Sequence, residues 1–242
     1  MDAITQHIVN NSQLEVSLIK ISDATPDTFK MSIESRVTNT GPISSTISPM
    51  TVDLVGSVIK TSSSGADVHV PAQVIKITDK AAFKAFVTAV LRDESLVLQL
   101  KNGKGTVKAL LGLSAEIDYN KDVPLKGMNG PKTSIAKTVV DGGGFKNTLT
   151  YVNPSPLELD LGIIKQELRN KDGSVIAVQQ GKTYLVRGET NVVVEGKVVG
   201  KAAGGEAVIV SVGVVEDNWH NETITAFQEP VILSEELLSL SA

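Results

Sequence analysis

Apolar and polar residues alternate along most of this chain. From 28 to 38 (TFKMSIESRVT), Phe29, Met31, Ile33 and Val37 fall on one side. A period of two is what a half-buried antiparallel strand needs, because successive side chains of a strand point to opposite faces. The same reading predicts strands over 45–59, 68–77, 95–101, 106–119, 145–152, 157–170, 174–178, 182–186, 190–199, 207–215 and 223–227. Asn39-Thr40-Gly41-Pro42, Lys101-Asn102-Gly103 and Lys171-Asp172-Gly173 read as the turns between them.

Residues 78–95 (TDKAAFKAFVTAVLRDES) depart from that period. Ala82, Phe83, Phe86, Val87, Val90 and Leu91 recur at helical spacing, which predicts a helix over about 79–93. Thr78 or Asp79 would accept from the free backbone donors of its first turn, and no Gly or Pro interrupts 80–92. The stripe is expected to seal an end or edge of a sheet in its own domain.

The run TLTYVNPSPLELDL (148–161) stops at Asn153-Pro154-Ser155-Pro156 and resumes. A comparable break follows the strand ending near Val37, at Asn39 and Pro42, roughly one sandwich domain earlier. Each strand starts with Phe (Phe29, Phe145), ends with Val and leads to a second alternating run. A strand, a proline-bearing kink and a second strand carry a chain from one sheet edge into the opposite sheet of a sandwich. Asn39, Pro42, Asn153 and Pro154 are therefore expected at equivalent structural corners of two modules.

Composition fits that picture. The chain has 242 residues, 41% of them hydrophobic, enough for two domains with cores of their own. Aromatics are only 4%, so Val, Ile and Leu must build those cores, which favours strands. The net charge of -4 and the lack of a basic run speak against a nucleic-acid partner. No stretch approaches the roughly 20 apolar residues that cross a bilayer, so the chain as given reads as soluble. Without cysteine there is no disulfide, thiolate nucleophile or cysteine-held zinc.

FKNTLTYVNPSPLELDLGIIKQELRNKDGSVIA (145–177) resembles the core of the water-stress and hypersensitive-response domain of type 2 late-embryogenesis-abundant proteins. Asn153, Pro154, Leu159, Leu161 and the Asn170-Lys171-Asp172-Gly173 turn carry the likeness. The segments 25–54 and 74–91 are similar to an uncharacterised fungal family in which two such domains usually follow an N-terminal membrane anchor. The resemblance, over about 9–227, implies an all-β protein of two tandem immunoglobulin-like antiparallel sandwiches. It also implies an extracytoplasmic or membrane-anchored setting. We expect the first sandwich, with the helix, over 1–130 and the second over 131–242. The Gly-bearing clusters Met128-Asn129-Gly130-Pro131 and Asp141-Gly142-Gly143-Gly144 bracket the expected linker, in which 134–140 could form a connecting strand.

Candidate chemistry is sparse. His7, His69 and His220 lie in separate segments without metal-ligand spacing. His220, beside Glu216 and Asp217, is the one site where carboxylates could tune an imidazole. Glu216, Asp217 and Asp141 could also offer oxygens to calcium if loops converged. The glycine runs match neither a phosphate loop nor a dinucleotide fingerprint, and no cofactor is implied. Asn10 and Asn221 fit the glycosylation pattern of a secreted chain, and the tail stripe Leu237, Leu238, Leu240 is expected to dock on the second sandwich. The sequence therefore points to a non-enzymatic binding or scaffold protein near a membrane or cell envelope, with an unknown protein or an apolar ligand as partner. The alternatives are apolar small-molecule or lipid binding in an inter-sheet or inter-domain cleft, and an enzyme of a small metabolite using His220.

Overall fold

The structure is a computed structural model that describes residues 2–40, 45–47, 51–52, 54–55, 59–60, 65–109 and 114–241. Pro42 lies outside the described residues. The chain is mostly β. In order it forms α1 (Asp2–Asn11), β1 (Gln13–Ser22), β2 (Thr28–Thr38), the short β3 (Ser45–Ile47), β4 (Thr51–Val52), β5 (Leu54–Val55) and β6 (Ile59–Lys60), β7 (Ala66–Lys76), α2 (Lys80–Arg92), β8 (Ser95–Ala109) and β9 (Ser114–Lys126). There follow β10 (Lys132–Asp141), β11 (Gly144–Asn153), β12 (Leu157–Arg169), β13 (Val175–Leu185), β14 (Gly188–Val198), β15 (Glu206–Val214), α3 (His220–Thr223), a 3-10 turn (Ile224–Ala226), β16 (Gln228–Ile232) and α4 (Glu235–Leu240). No helix among the described residues is long and apolar enough to cross a membrane.

The chain divides into two units: Met1–Ile21, Lys30–Ile75 and Ser95–Leu125 in the first, Ser22–Phe29, Lys76–Glu94 and Lys126–Ala242 in the second. The division corrects the expected boundary. Residues 126–131 belong with the second unit, and so does the helix that was placed in the first. The physical reason is contact: α2 buries Val87, Val90 and Leu91, and the loop after β9 wraps its C-terminal end. Met128 N–H donates to the Val90 carbonyl (2.7 Å) and Gly130 N–H to that of Leu91 (2.8 Å). These donors satisfy carbonyls that a helix end leaves free. The cluster read as linker is therefore a helix cap, and the segment after it is β10, a full strand of the second unit. At the other end of α2, the Asp79 side chain accepts from Ala82 N–H (2.9 Å), as the sequence suggested.

In the first unit, β9 keeps a strict period of two, burying Ala115, Ile117, Tyr119, Lys121, Val123 and Leu125. Val9, Ala66, Val107, Ile117 and Tyr119 form one cluster, with Val68 and Leu100 against it. Asn102 is not in a turn: β8 runs through it, and it takes a left-handed φ of 60° with its N–H donating to Asn120 Oδ1 (2.9 Å). The helix α1 was not expected. Its Gln6 amide occupies both backbone groups of Asp118, donating to the carbonyl (2.8 Å) and accepting from the N–H (2.9 Å). Lys121 sits on the buried side of β9 and donates to the carbonyls of Val9, Asn10 (3.0 Å) and Ser12 (2.6 Å) at the end of α1. A cation there also complements the negative end of the helix.

In the second unit, neighbouring strands are hydrogen-bonded in the order β10-β11-β14-β13-β12-β15-β16, every pair antiparallel. The Asn153-Pro154 corner takes the chain from β11 to β12, which are not neighbours in that order. Asn153 is 1% exposed. Its Nδ2 donates to the carbonyls of Leu157 (2.7 Å) and Val186 (3.1 Å), and its Oδ1 accepts from Ser155 N–H (3.0 Å) and Oγ (2.7 Å). A side-chain amide thus replaces the ladder bonds lost at the prolines. Asn39 ends β2 differently: it is exposed, at a left-handed φ of 56°. The two asparagines both close strands, by different local means.

Inside the second unit runs a chain of side-chain hydrogen bonds. Ser234 Oγ donates to Thr138 Oγ1 (2.7 Å), Thr138 to Asn147 Oδ1 (2.7 Å), Asn147 Nδ2 to Gln179 Oε1 (3.0 Å), and Gln179 Nε2 to Gln166 Oε1 (3.2 Å). Gln166 Nε2 then donates to Tyr151 Oη (3.1 Å) and Ser211 Oγ (3.3 Å). Asn147, Gln166, Gln179 and Ser211 are all buried. Leu237 of α4 is buried too, so the tail stripe docks within this unit as expected.

Two stability predictions follow from these interiors. Lys121→Met leaves the Asn10 and Ser12 carbonyls without this donor, while the Val9 carbonyl keeps the Ser12 hydroxyl (2.7 Å), and should cost about 2–4 kcal/mol, read as faster amide exchange throughout α1. Unaltered exchange would show that α1 is held by other contacts. Gln179→Leu strands Asn147 Nδ2 and weakens Gln166 Oε1, at about 2–3 kcal/mol in urea unfolding. A loss below about 0.5 kcal/mol would mean that the chain carries little stability.

Candidate functional site

A concave site, a trough of about 770 Å³, lies on the outer face of β12, β13, β14 and β15 in the second unit. Its origin is the alternation of these strands. Along the second half of β12 the buried positions are Ile164, Gln166 and Leu168, so Ile163, Lys165 and Glu167 face out. Register pairs Ile163 with Lys182, Lys165 with Gln180 and Glu167 with Val178 on β13, and Val178 with Lys197 and Gln180 with Glu195 on β14. Between Lys165 and Gln166 the β12–β15 register shifts, and Val212 lies at that irregularity, exposed on the trough side. The apolar floor is Ile163, Val178, Val193 and Val212, of which Val193 is 58% exposed.

Two glycines let the strands come this close. A Cβ at Gly181 would lie 2.5 Å from the Val193 carbonyl oxygen, and one at Gly196 would lie 2.5 Å from the Phe145 ring. Phe145 is paired with Gly196 across β11 and β14 and covers it from the buried side.

The charges of the rim are unevenly matched. Arg169 donates to Glu167 Oε2 through Nε (2.7 Å) and Nη2 (2.6 Å), and Lys146 pairs with Glu195 (2.8 Å). Lys165, Lys182 and Lys197 are exposed and form no ion pair among the described residues. The face can hold an apolar group on its floor and offer cations beside it. It brings no nucleophile and base together.

A second cavity of about 340 Å³ lies between the end of α2, the 129–130 loop and β16. There Arg92 Nε donates to the Ala226 carbonyl (3.1 Å), and burial raises the Glu229 carboxyl, with Lys132 opposing. Its volume is at the lower limit for a small-molecule site.

The residues singled out from sequence are built into the frame. His220 is 2% exposed, its ring 3.8 Å from that of Trp219, and its Nε2 lies 3.2 Å from the Asp160 carbonyl. Trp219 in turn packs edge-on to Phe83 (4.8 Å) and Phe29 (6.0 Å), and its buried Nε1 has no acceptor among the described residues. Glu216 is exposed but turned to β12: its Oε2 accepts from Ile163 N–H (3.2 Å) beside the irregularity at Gly162. Gly162 has φ +65°, and a Cβ there would lie 2.8 Å from that oxygen. Asp217 is exposed. No hydrogen bond or ion pair joins His220 to Glu216 or Asp217 among the described residues, so the imidazole and carboxylates are not assembled as an acid–base site.

The other candidates are equally placed. His7 and His69 are exposed, and Asp141 sits at the β10–β11 hairpin. Among the described residues no three His, Cys, Asp or Glu side chains gather to hold a metal. Asn221 is engaged on both sides of its amide, accepting from Val214 N–H (2.9 Å) and donating to the Glu216 carbonyl (3.2 Å). Asn10 is exposed on α1, with its Oδ1 accepting from Gln6 (2.8 Å). The trough was missed because each lysine, read singly, is an ordinary exposed strand position. Only register brings three together.

Burial pushes the pKa of His220 down to about 4, with the Asp160 carbonyl acting the other way. An unfolded histidine titrates near 6.5, so between those values the unfolded chain binds the extra proton. His220 therefore contributes stability that is complete above about pH 6.5 and is lost as pH falls towards 4, by about 3 kcal/mol. His220→Gln should flatten this part of the profile in denaturant unfolding from pH 7 to pH 4. An unchanged acid slope in the variant would assign it to other groups.

Residues 56–168 match the model of a family described as a protein of unknown function (DUF3712). No curated protein matches the chain.

Proposed function

We propose that this is a non-enzymatic binding protein of two tandem immunoglobulin-like modules, and that the trough of the second unit is its ligand site. The observation that carries the reading is a preformed concave face with an apolar floor, of a volume within the usual range for small-molecule sites. It differs from the inter-sheet or inter-domain cleft expected from sequence in lying on the outer face of β12, β13, β14 and β15.

The strand order supports the module type. Lettered from β10, the second unit reads A-B-E-D through β10-β11-β14-β13 and C-F-G through β12-β15-β16, the two sheets of a constant-type immunoglobulin sandwich. Pairing of β13 with β12 joins the two groups. The likeness to water-stress domains adds a setting at a membrane or envelope surface, because such modules in the fungal family usually follow an anchor.

The ligand site is tested with an uncharged apolar dye such as Nile red. We expect one dye bound per chain, and Val193→Glu with Val212→Glu to weaken it at least tenfold at unchanged melting temperature. Dye affinity indifferent to both substitutions would remove the trough from consideration.

A further inference from the structure

We propose that the trough selects a single-chain amphiphile with an anionic head, a long-chain carboxylate, and that Lys165, Lys182 and Lys197 receive that head. The inference rests on the reading of the trough as an apolar-ligand site and adds the charge of its occupant.

The three lysines come from three adjacent strands and point to one face. Lys182 stands opposite Ile163, and Lys197 opposite Val178, so two of the lysines are cross-strand partners of floor residues. Lys165 lies between them and Val212. The carboxylates of this face are already neutralised, Glu167 by Arg169 and Glu195 by Lys146. What is left over is positive charge above an apolar floor, in a chain whose net charge is -4.

An occupant that answers both features needs a hydrocarbon part for the floor and a negative end for the rim. A fully polar anion leaves the valines wet, and a neutral hydrocarbon leaves the three cations unanswered. A recessed floor suits one chain lying along it better than a flat bilayer, which would rest on the rim. Lysine fits such a head because it is a point charge on a flexible stem and imposes no planar, bidentate geometry. The tail then fixes the position of the ligand, and the lysines follow.

The test is calorimetric titration of the full chain with dodecanoate and with its uncharged glycerol monoester, each below its micelle concentration. Dodecanoate should bind at least tenfold more tightly, and the difference should shrink as salt is raised, because the rim is solvent-exposed. Lys165→Gln, Lys182→Gln and Lys197→Gln together should bring the two affinities within twofold of each other while circular dichroism stays unchanged. Equal affinities in the unaltered protein, or a preference that survives the triple substitution, would overturn the charge inference and leave the apolar trough standing. Val193→Glu should weaken both ligands; if it weakens neither, the trough reading itself falls. Sedimentation with phosphatidylserine vesicles and titration with inorganic phosphate complete the set. Loss of vesicle binding in the triple variant, without any binding of free dodecanoate, would assign the face to a membrane surface and overturn the proposal. Phosphate binding as tight as that of dodecanoate would do the same.

Discussion

The second unit is organised around a directional line of buried amides. From Ser234 to Ser211 each side chain donates to the next, so β10, β11, β13, β12 and β15 are joined by side chains as well as by their backbones. In a core of low polarity an amide without a partner is costly, so this line tolerates one arrangement of its strands and penalises the rest. Purely aliphatic faces would discriminate less, since a valine slipped by two places still finds apolar neighbours. The line therefore specifies register where Val and Ile alone leave it open.

Register decides the outer face as well. A strand has only two sides, so holding Gln166 and Gln179 inside places Lys165 and Gln180 outside. A slip of one residue on β12 would bury Lys165 and expose the glutamine, with the desolvation of a charge added to the loss of its hydrogen bonds. The interior line and the cationic rim are thus two consequences of one alignment. The trough needs no separate device beyond Gly181 and Gly196, where a side chain would strike the neighbouring strand or Phe145.

Much of this was legible along the chain, for reasons that mark where legibility ends. Period-two alternation gave most of the strands, helical spacing gave α2, and Asn153-Pro154 marked the end of β11, because each signal lies within a few residues; β1 and β16 were not read, and 223–227, read as a strand, is helical up to Ala226. Lys171-Asp172-Gly173 turned as read, with Gly173 at φ +88° and its N–H donating to the Asn170 carbonyl (2.9 Å). Lys121, Asn147, Gln166 and Gln179 were not legible as interior residues. A polar residue in a strand reads as outward unless its partners are known, and those partners are distant in sequence. The placement of α2 failed for the same reason: Phe83 finds Phe29 (5.4 Å) and Trp219 (4.8 Å), residues more than fifty positions away on either side. His220 looked chemical beside Glu216 and Asp217, yet neighbours along a chain need not face one another, and the ring turned into the aromatic cluster.

That cluster and the trough divide the work of the second unit between sequestered and available groups. At His220, burial removes the charge and leaves a neutral ring against the Asp160 carbonyl, so the one imidazole with interesting neighbours is spent on holding α3 to β12. Glu216 is spent likewise, on the Ile163 amide beside Gly162. Both contacts brace β12, the strand that supplies Ile163 and Lys165 to the trough. A site carried on braced strands loses little conformational entropy when a ligand arrives, since its floor is ordered beforehand and only the lysine stems remain free to adjust. The proposed division is thus physical: the frame fixes where an apolar chain can lie, and the mobile cations choose the head that lies there.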